Sequence, residues 1–254
     1  TSTIEVNFPA DNPARLNVER NLKCTGSMKE DYWPLVIYED WDKEMREKLG
    51  IEQTLVEELQ EDKSTRKYID EYLSALEERK TNQKETVELE LTGYYGQKPD
   101  EITDYSFSAT GTTVDSPALD YTVTYTMEGL VKNAGENLIL EVGRLIGQQW
   151  EPDERDEKRN MDAYLPTAIR LNYHIGIEIP EGYMVEGLDG LSSEYSNDYG
   201  GFHSDYKLEG NKLFVSASKI YEKSYVSLDK WNEILLIAKK TNDFQAKTVI
   251  LKKL

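Results

Sequence analysis

Apolar and polar residues alternate along much of this sequence, and this period of two restricts the possible fold more than any other feature. The longest example runs from residue 169 to residue 179, where every second residue is apolar or aromatic. These residues are Ile169, Leu171, Tyr173, Ile175, Ile177 and Ile179. Such alternation is typical of an antiparallel strand that buries one face and leaves the other in water. The sequence therefore predicts a chain built largely from half-buried strands.

Shorter stretches with the same period occur on both sides of this strand. They are found at residues 4–8, 16–24, 87–91, 105–109, 121–127, 206–208, 213–217 and 248–251. Residues 138–146 are interpreted as a further strand, which glycine interrupts. Because at least six strands alternate in this way, an antiparallel β-sandwich is favoured over a parallel sheet.

The period changes to that of a helix between residues 40 and 82. Apolar residues recur at every fourth position from Trp41 to Leu49, and Gly50 stands where a left-handed cap would end a helix. Two more helical stretches follow, the second with Ser64 as its predicted N-terminal cap. We therefore predict a helical insertion within the N-terminal half of the chain.

A charged segment at residues 151–160 contains no apolar side chain and is the predicted domain boundary. Residues 1–160 are predicted to form a β-rich domain with the helical insertion at about 40–82. Residues 161–254 are predicted to form a C-terminal β-sandwich-like domain with one helix, which Ser227 begins. The fold class predicted for the whole chain is α+β, mainly β.

The charge of the chain argues against two classes of partner. There are 48 acidic and 30 basic residues, which gives a formal net charge of -18. A field of this sign repels nucleic-acid phosphates and anionic lipid headgroups, so neither is expected as a partner. The sequence also lacks a long apolar run and a charged-then-apolar leader, so neither a membrane span nor a signal peptide is predicted. Because the first residue is Thr1 and a strand follows at once, we expect a fragment of a longer polypeptide.

Three side chains could serve as a nucleophile, a base or a metal ligand. Cys24 lies on the apolar side of a predicted strand, which favours a buried structural thiol over a nucleophile. His174 falls on the polar side of its strand and His203 in a glycine-containing loop. Because the two histidines lack metal-ligand spacing, they are interpreted as surface residues. No catalytic, cofactor-binding or metal-binding residue is therefore predicted, and no cofactor is expected.

Paired carboxylates could hydrolyse a glycoside if two of them faced each other across a cleft. Glu88 with Glu90, or Glu178 beyond His174, can be nominated for this role. With so many acidic residues in the chain, solvated surface carboxylates are the favoured interpretation.

Two further features leave a ligand possible. Asp198 and Asp205 flank adjacent glycines, which a calcium loop would use, although the segment lacks EF-hand spacing and a turn between strands explains it equally well. Tyr95 and Phe214 fall outside the apolar alternation and could stack on a sugar. Core packing is favoured for most other aromatic residues.

Several segments resemble the C-terminal region of bacterial extracytoplasmic transglutaminase-like proteins, found largely in Bacteroides-type bacteria. The segments are residues 18–22, 129–132, 177–187, 231–244 and 247–253. In that family a β-rich domain precedes a papain-like transglutaminase core, and a β-rich region follows it. The family's Cys, His and Asp triad belongs to the core, and neither Cys24 nor either histidine stands in a matching context. No catalytic residue is therefore carried over to this chain.

The resemblance implies a location in the periplasm or at the cell surface, with the upstream core as the partner. The expected function is a non-catalytic accessory or structural module that packs against, positions or restricts access to that core. The alternative is a module that binds envelope glycan or peptide through exposed aromatics or a sheet edge.

Overall fold

The computed structural model describes residues 1–61, 63–112, 118–165 and 168–254. Over these residues the chain is α+β and mainly β, as the alternation predicts. The strands are β1 Ser2–Asn7, β2 Leu16–Cys24, β3 Glu101–Thr110, β4 Leu119–Met127, β5 Val131–Ala134, β6 Asn137–Leu140, β7 Ala163–Tyr164, β8 Ile169–Glu178, β9 Tyr183–Glu186, β10 Ser193–Asn197, β11 Gly200–Glu209, β12 Lys212–Tyr221, β13 Tyr225–Val226 and β14 Val249–Lys253. The α-helices are α1 Tyr38–Leu49, α2 Leu55–Glu61, α3 Ile69–Tyr95, α4 Glu154–Glu157 and α5 Trp231–Gln245.

An eight-stranded sheet in the order β10-β11-β12-β8-β1-β2-β4-β3 forms the centre of the molecule. Its neighbouring strands are antiparallel except β1 and β8, which run parallel from the pair Ser2 and Tyr173 to the pair Val6 and Ile177. Strands from both sides of residue 160 thus share one sheet. The charged segment at residues 151–160 contains α4 and lies between β6 and β7 along the chain.

The eight-stranded sheet has one covered face and one open face. Side chains on the covered face are buried, among them Ile4, Val6, Leu16, Val18, Tyr121, Val123, Tyr125, Ile175, Ile177, Leu213 and Val215. Side chains on the open face are exposed or half-buried, among them Thr3, Glu5, Glu19, Asn21, Thr122, Thr124, His174, His203 and Ser216. Each fully buried aliphatic side chain contributes roughly 1.5–3 kcal/mol, which fixes the strand register. The alternation in the sequence therefore reflects one buried face and one solvent-exposed face of this sheet.

The covered face packs against two helices, short 3₁₀ segments and a second sheet. One helix is the C-terminal half of α3, and the second sheet has the order β5-β6-β14-β9. The other helix is α5, whose Phe244 ring lies 5.4 Å from that of Phe202 on β11. The 3₁₀ segments Trp33–Leu35 and Val142–Ile146 complete the cover. One hydrophobic core therefore joins all these elements to the large sheet.

The prediction of a strand at residues 87–91 is wrong, because these residues belong to α3. Val87 and Leu91 are fully buried while Leu89 is 69% exposed, which is helical spacing rather than alternation. The helical insertion consequently extends beyond residue 82 to Tyr95. Ser64 is not its cap, since a 3₁₀ turn precedes α3 and Tyr68 occupies the N-cap position.

Other predicted elements are confirmed. The helix that starts near residue 40 is α1, and Gly50 ends it with a φ of 69°, which glycine adopts without strain. The predicted C-terminal helix is α5, but Ser227 is not its cap. Ser227 precedes a 3₁₀ turn without a capping hydrogen bond from its side chain, and Lys230 occupies the N-cap position of α5. Residues 138–140 belong to β6, but the residues after them form the 3₁₀ segment Val142–Ile146 instead of continuing the strand.

Candidate functional site

A cavity of ≈ 720 Å³ opens on the covered face, where α3 and its neighbouring segments leave the sheet uncovered. Its walls come from the end of β2, the start of β8, the end of β12 and the segment that follows residue 146. Residues that line it include Cys24, Tyr32, Tyr94, Gln149, Tyr173 and Lys219. Sites for small molecules usually have volumes of roughly 300–1,000 Å³. The cavity therefore has the size of a ligand-binding site.

Lys219 enters the cavity from the covered face of β12. Leu213, Val215 and Ala217 precede it on the same side of the strand, and all three are buried. The Lys219 ammonium donates a hydrogen bond of 2.8 Å to Gln149 Oε1. It forms no ion pair with an acidic residue in the described part of the chain. Burial lowers the pKa of Lys219 to about 8.

The amide of Gln149 is held in one orientation by the backbone before it. Its Nε2 donates to the carbonyl oxygens of Ile146 at 3.0 Å and Gly147 at 3.3 Å, so its Oε1 faces Lys219. Gly147 has a φ of 79°, and an added Cβ would lie 2.7 Å from the Tyr94 ring. Glycine is thus needed where this segment passes Tyr94.

Tyrosine rings form much of the remaining wall. The Tyr94 hydroxyl donates to the carbonyl oxygen of Leu145 at 3.1 Å. Burial raises the pKa of Tyr32 to about 12. Burial also raises the pKa of Tyr173, where it outweighs a hydrogen bond with Gln149 that acts to lower the pKa. At neutral pH these phenols stay protonated. They therefore offer flat apolar rings and neutral hydroxyl groups.

Cys24 lies in the cavity wall and is buried, as its position on the apolar side of β2 predicts. Burial raises the pKa of its thiol, which opposes formation of the nucleophilic thiolate. His174 and His203 project from the open face of the same sheet, beside Ser216 and Ser218 on β12. The sheet thus stands between the thiol and both imidazoles.

The open face carries a smaller pocket of ≈ 200 Å³ around His174. Glu5, Asp205 and Phe214 contribute to its walls, and Phe214 is 37% exposed, as predicted. Lys212 is paired with Glu5 at 2.7 Å, which balances charge at this pocket. Within the described ranges, no group of three or more His, Cys, Asp or Glu residues is arranged to hold a metal ion.

The other nominated residues have structural contacts. Asn197, beside Asp198, accepts a hydrogen bond of 2.8 Å from the amide of Tyr199 and so closes the turn between β10 and β11. Asp205 lies away from that turn, within β11, and accepts a hydrogen bond of 2.8 Å from Ser192. The turn interpretation therefore accounts for this segment.

Tyr95 is not a surface ring, because it lies on the buried side of α3 with 3% exposure. Its hydroxyl hydrogen-bonds that of Tyr125 at 2.5 Å. Of the nominated carboxylates, Glu88 pairs with Lys98 at 2.9 Å and Glu90 pairs with the buried Arg20. These two acids hold structural ion pairs.

Fold and cavity together define an α+β protein whose large open-faced sheet carries a ligand-sized cavity beneath its covered face. Residues 137–251 match a family model described as a Domain of Unknown Function with solved-structure structure (DUF3858). The match runs from β6 into β14 and includes Gln149, Tyr173 and Lys219. No curated protein and no solved structure matches the chain. Every helix among the described residues is too short or too polar to span a membrane.

Proposed function

We propose that this chain is a non-catalytic accessory module of a larger extracytoplasmic protein with a transglutaminase-like core. The resemblance of its C-terminal segments to such proteins motivates the role and the proposed location in the periplasm or at the cell surface. The partner is the core domain of the same polypeptide, which the module positions or shields.

One observation carries the non-catalytic part of this proposal. Cys24 faces the covered side of the sheet, whereas His174 and His203 face the open side. A thiol nucleophile needs a base within hydrogen-bond reach, at roughly 2.6–3.2 Å. A sheet between the two groups supports a structural role for the thiol.

The test compares the isolated chain with the complete polypeptide. The isolated chain should show no amidase, protease or crosslinking activity, and Cys24→Ser should change nothing. Deleting residues 1–254 from the complete polypeptide should change the melting temperature or the turnover of the core. Activity in the isolated chain that Cys24→Ser or His174→Ala abolishes would disprove the proposal, as would a core indifferent to the deletion.

The second candidate is a module that binds envelope glycan or peptide. The cavity on the covered face favours it, because its tyrosine rings and amide side chains suit sugar or peptide groups. A glycan array and a peptide pull-down with the isolated chain separate the two candidates. Saturable binding without the core present supports this second function.

A further inference from the structure

The charges around the cavity of Lys219 differ from those of the rest of the molecule. The chain has 48 acidic residues against 30 basic ones. Among the described residues that line this cavity, however, none is Asp or Glu, while Lys23, Arg170 and Lys219 are basic. The smaller pocket on the open face instead contains Glu5 and Asp205. In a strongly acidic protein, this cavity is a local region of positive charge.

Of these three basic residues, Lys219 is the one placed to contact a ligand inside the cavity. Lys23 is largely exposed and lies 3.9 Å from Asp120, and Arg170 is exposed. Lys219 is half-buried, and its only hydrogen bond to the described residues goes to the neutral Gln149. Since an ammonium group has three N–H donors, donors remain for a ligand.

A second lysine on β12 has an acidic partner, unlike Lys219. Lys212 also lies on β12, but on the open face, where Glu5 neutralises it at 2.7 Å. Lys219 has no such acid, and its burial is unfavourable for the charged form. An anionic ligand would provide the missing countercharge for this half-buried ammonium.

The walls restrict the kind of anion. Tyr94, Tyr173, Ile146 and Leu171 present rings and aliphatic groups, which suit an apolar or aromatic body. A single ammonium matches a monoanion better than a phosphate dianion, which usually recruits arginine forks or several backbone amides. We propose that this cavity binds a carboxylate attached to an apolar or aromatic group, with the Lys219 ammonium as its anchor. Ligand binding in this cavity goes beyond the proposed accessory function and does not depend on it.

The test is calorimetric titration of the isolated chain with phenylacetate and with its neutral analogue phenylacetamide. We expect saturable binding of phenylacetate, with Kd at least about tenfold higher for phenylacetamide, which corresponds to the loss of one charge-assisted hydrogen bond. Lys219→Met should weaken phenylacetate binding by a similar factor. Lys212→Met is the matched control and should leave Kd unchanged. Lys219→Gln serves as a second variant, with melting temperatures to establish that both are folded.

Further probes identify the source of the carboxylate. A short peptide ending in phenylalanine is compared with its C-terminally amidated form. A preference for the free acid supports a peptide terminus, whereas tighter binding of phenylacetate supports a small organic acid. The proposal is overturned if no carboxylate binds the wild-type chain, if Lys219→Met binds phenylacetate as well as wild type does, or if inorganic phosphate binds more tightly. None of these results alters the test of coupling to the core.

Discussion

The guanidinium of Arg20, on the covered face of β2, donates a hydrogen bond to the carboxylate of Glu90 on α3. Arg20 is fully buried, and the side chain of Glu90 is 14% exposed. The Tyr94 ring lies 4.4 Å from the guanidinium carbon, where it provides a cation–π contact. This pair links the eight-stranded sheet to the helix that covers it.

Removing one member of this pair should therefore be severe. Arg20→Met leaves the Glu90 carboxylate without its partner in the core, and we expect a loss of about 3–5 kcal/mol in the free energy of unfolding. Urea denaturation measures this change. Arg79→Met is the control on the same helix, because its pair with Glu39 is more exposed and should contribute about 0–1 kcal/mol. Equal effects of the two substitutions would contradict a dominant role for the buried pair.

Lys219→Met should stabilise the protein at neutral pH. Burial lowers the pKa of Lys219 from 10.5 to about 8, so at pH 7 the folded state carries a poorly solvated charge. Allowing for the partial exposure of the side chain, we expect a gain of about 1–3 kcal/mol.

The pH dependence of this gain follows from proton linkage. Between pH 8 and 10.5 the unfolded chain binds more protons than the folded state does at Lys219. The stability of wild type should rise relative to that of Lys219→Met as the pH increases through this window, because the unfavourable charge disappears. Urea midpoints at pH 7 and pH 10 measure the change, and Lys212→Met should show no stabilisation. A difference between wild type and Lys219→Met that does not vary with pH would refute this assignment.

Glu44→Gln should remove a contribution to stability that is present at neutral pH and lost at acidic pH. Glu44 Oε2 accepts hydrogen bonds from the amide of Thr110 at 2.7 Å and from its hydroxyl at 2.6 Å. Burial acts to raise the pKa of Glu44, but the hydrogen bonds from Lys48 and Thr110 outweigh it, so the pKa is lowered. The contribution is then present above the pKa of the unfolded chain and is lost as the pH falls through the folded pKa.

At pH 7 we expect Glu44→Gln to lower the free energy of unfolding by about 1.5–3 kcal/mol, as for hydrogen bonds to a charged group. The difference from wild type should narrow as the pH falls below 4.5, the usual value for glutamate. Glu47→Gln, at an exposed position of the same helix, should stay within about 0.5 kcal/mol of wild type. Thermal unfolding at pH 7 and pH 3 provides the comparison, and a difference at pH 3 as large as that at pH 7 would count against the hydrogen-bonded carboxylate.

Two glycine substitutions should act in opposite directions. An added Cβ at Gly143 would lie 2.0 Å from the carbonyl oxygen of Phe244, so Gly143→Ala must displace the end of α5 and destabilise the protein. At Gly93, inside α3, a Cβ meets nothing within 4 Å, and Gly93→Ala should stabilise by about 0.5–1 kcal/mol. Melting temperatures of both variants measure the contrast. If Gly143→Ala is neutral, the close contact between the 3₁₀ segment and α5 is not as described.

The sequence predicts a secondary-structure element well where its apolar residues fit the period of a strand or that of a helix, but not both. Residues 169–179 alternate over eleven positions, which would place apolar side chains all around a helix, and residues 169–178 form β8. Val87 and Leu91 satisfy both periods, because residues four apart share a side of a strand and of a helix. The parallel pairing of β1 with β8 has no local signal, since it joins residues distant in the sequence. The sequence therefore predicts most of the long strands but not their order.

The candidate site could be predicted only in part. The burial of Cys24 follows from the alternation of β2, but the cavity beside it depends on where segments from other parts of the chain leave a gap. A usable signal was nevertheless present. Arg20 and Lys219 occupy apolar positions in strands whose neighbours at that spacing are buried. A basic residue at such a position indicates a buried pair or a ligand site.

The parallel pairing of β1 with β8 has a consequence for synthesis of the chain. While β1 leaves the ribosome, β2 can pair with one of its edges, but the other edge has no partner until β8 has been translated. An N-terminal half made alone would keep that edge open to other chains, which favours aggregation. Fragments that end near residue 160 should consequently accumulate as insoluble protein, and adding the C-terminal half later is expected to rescue them poorly.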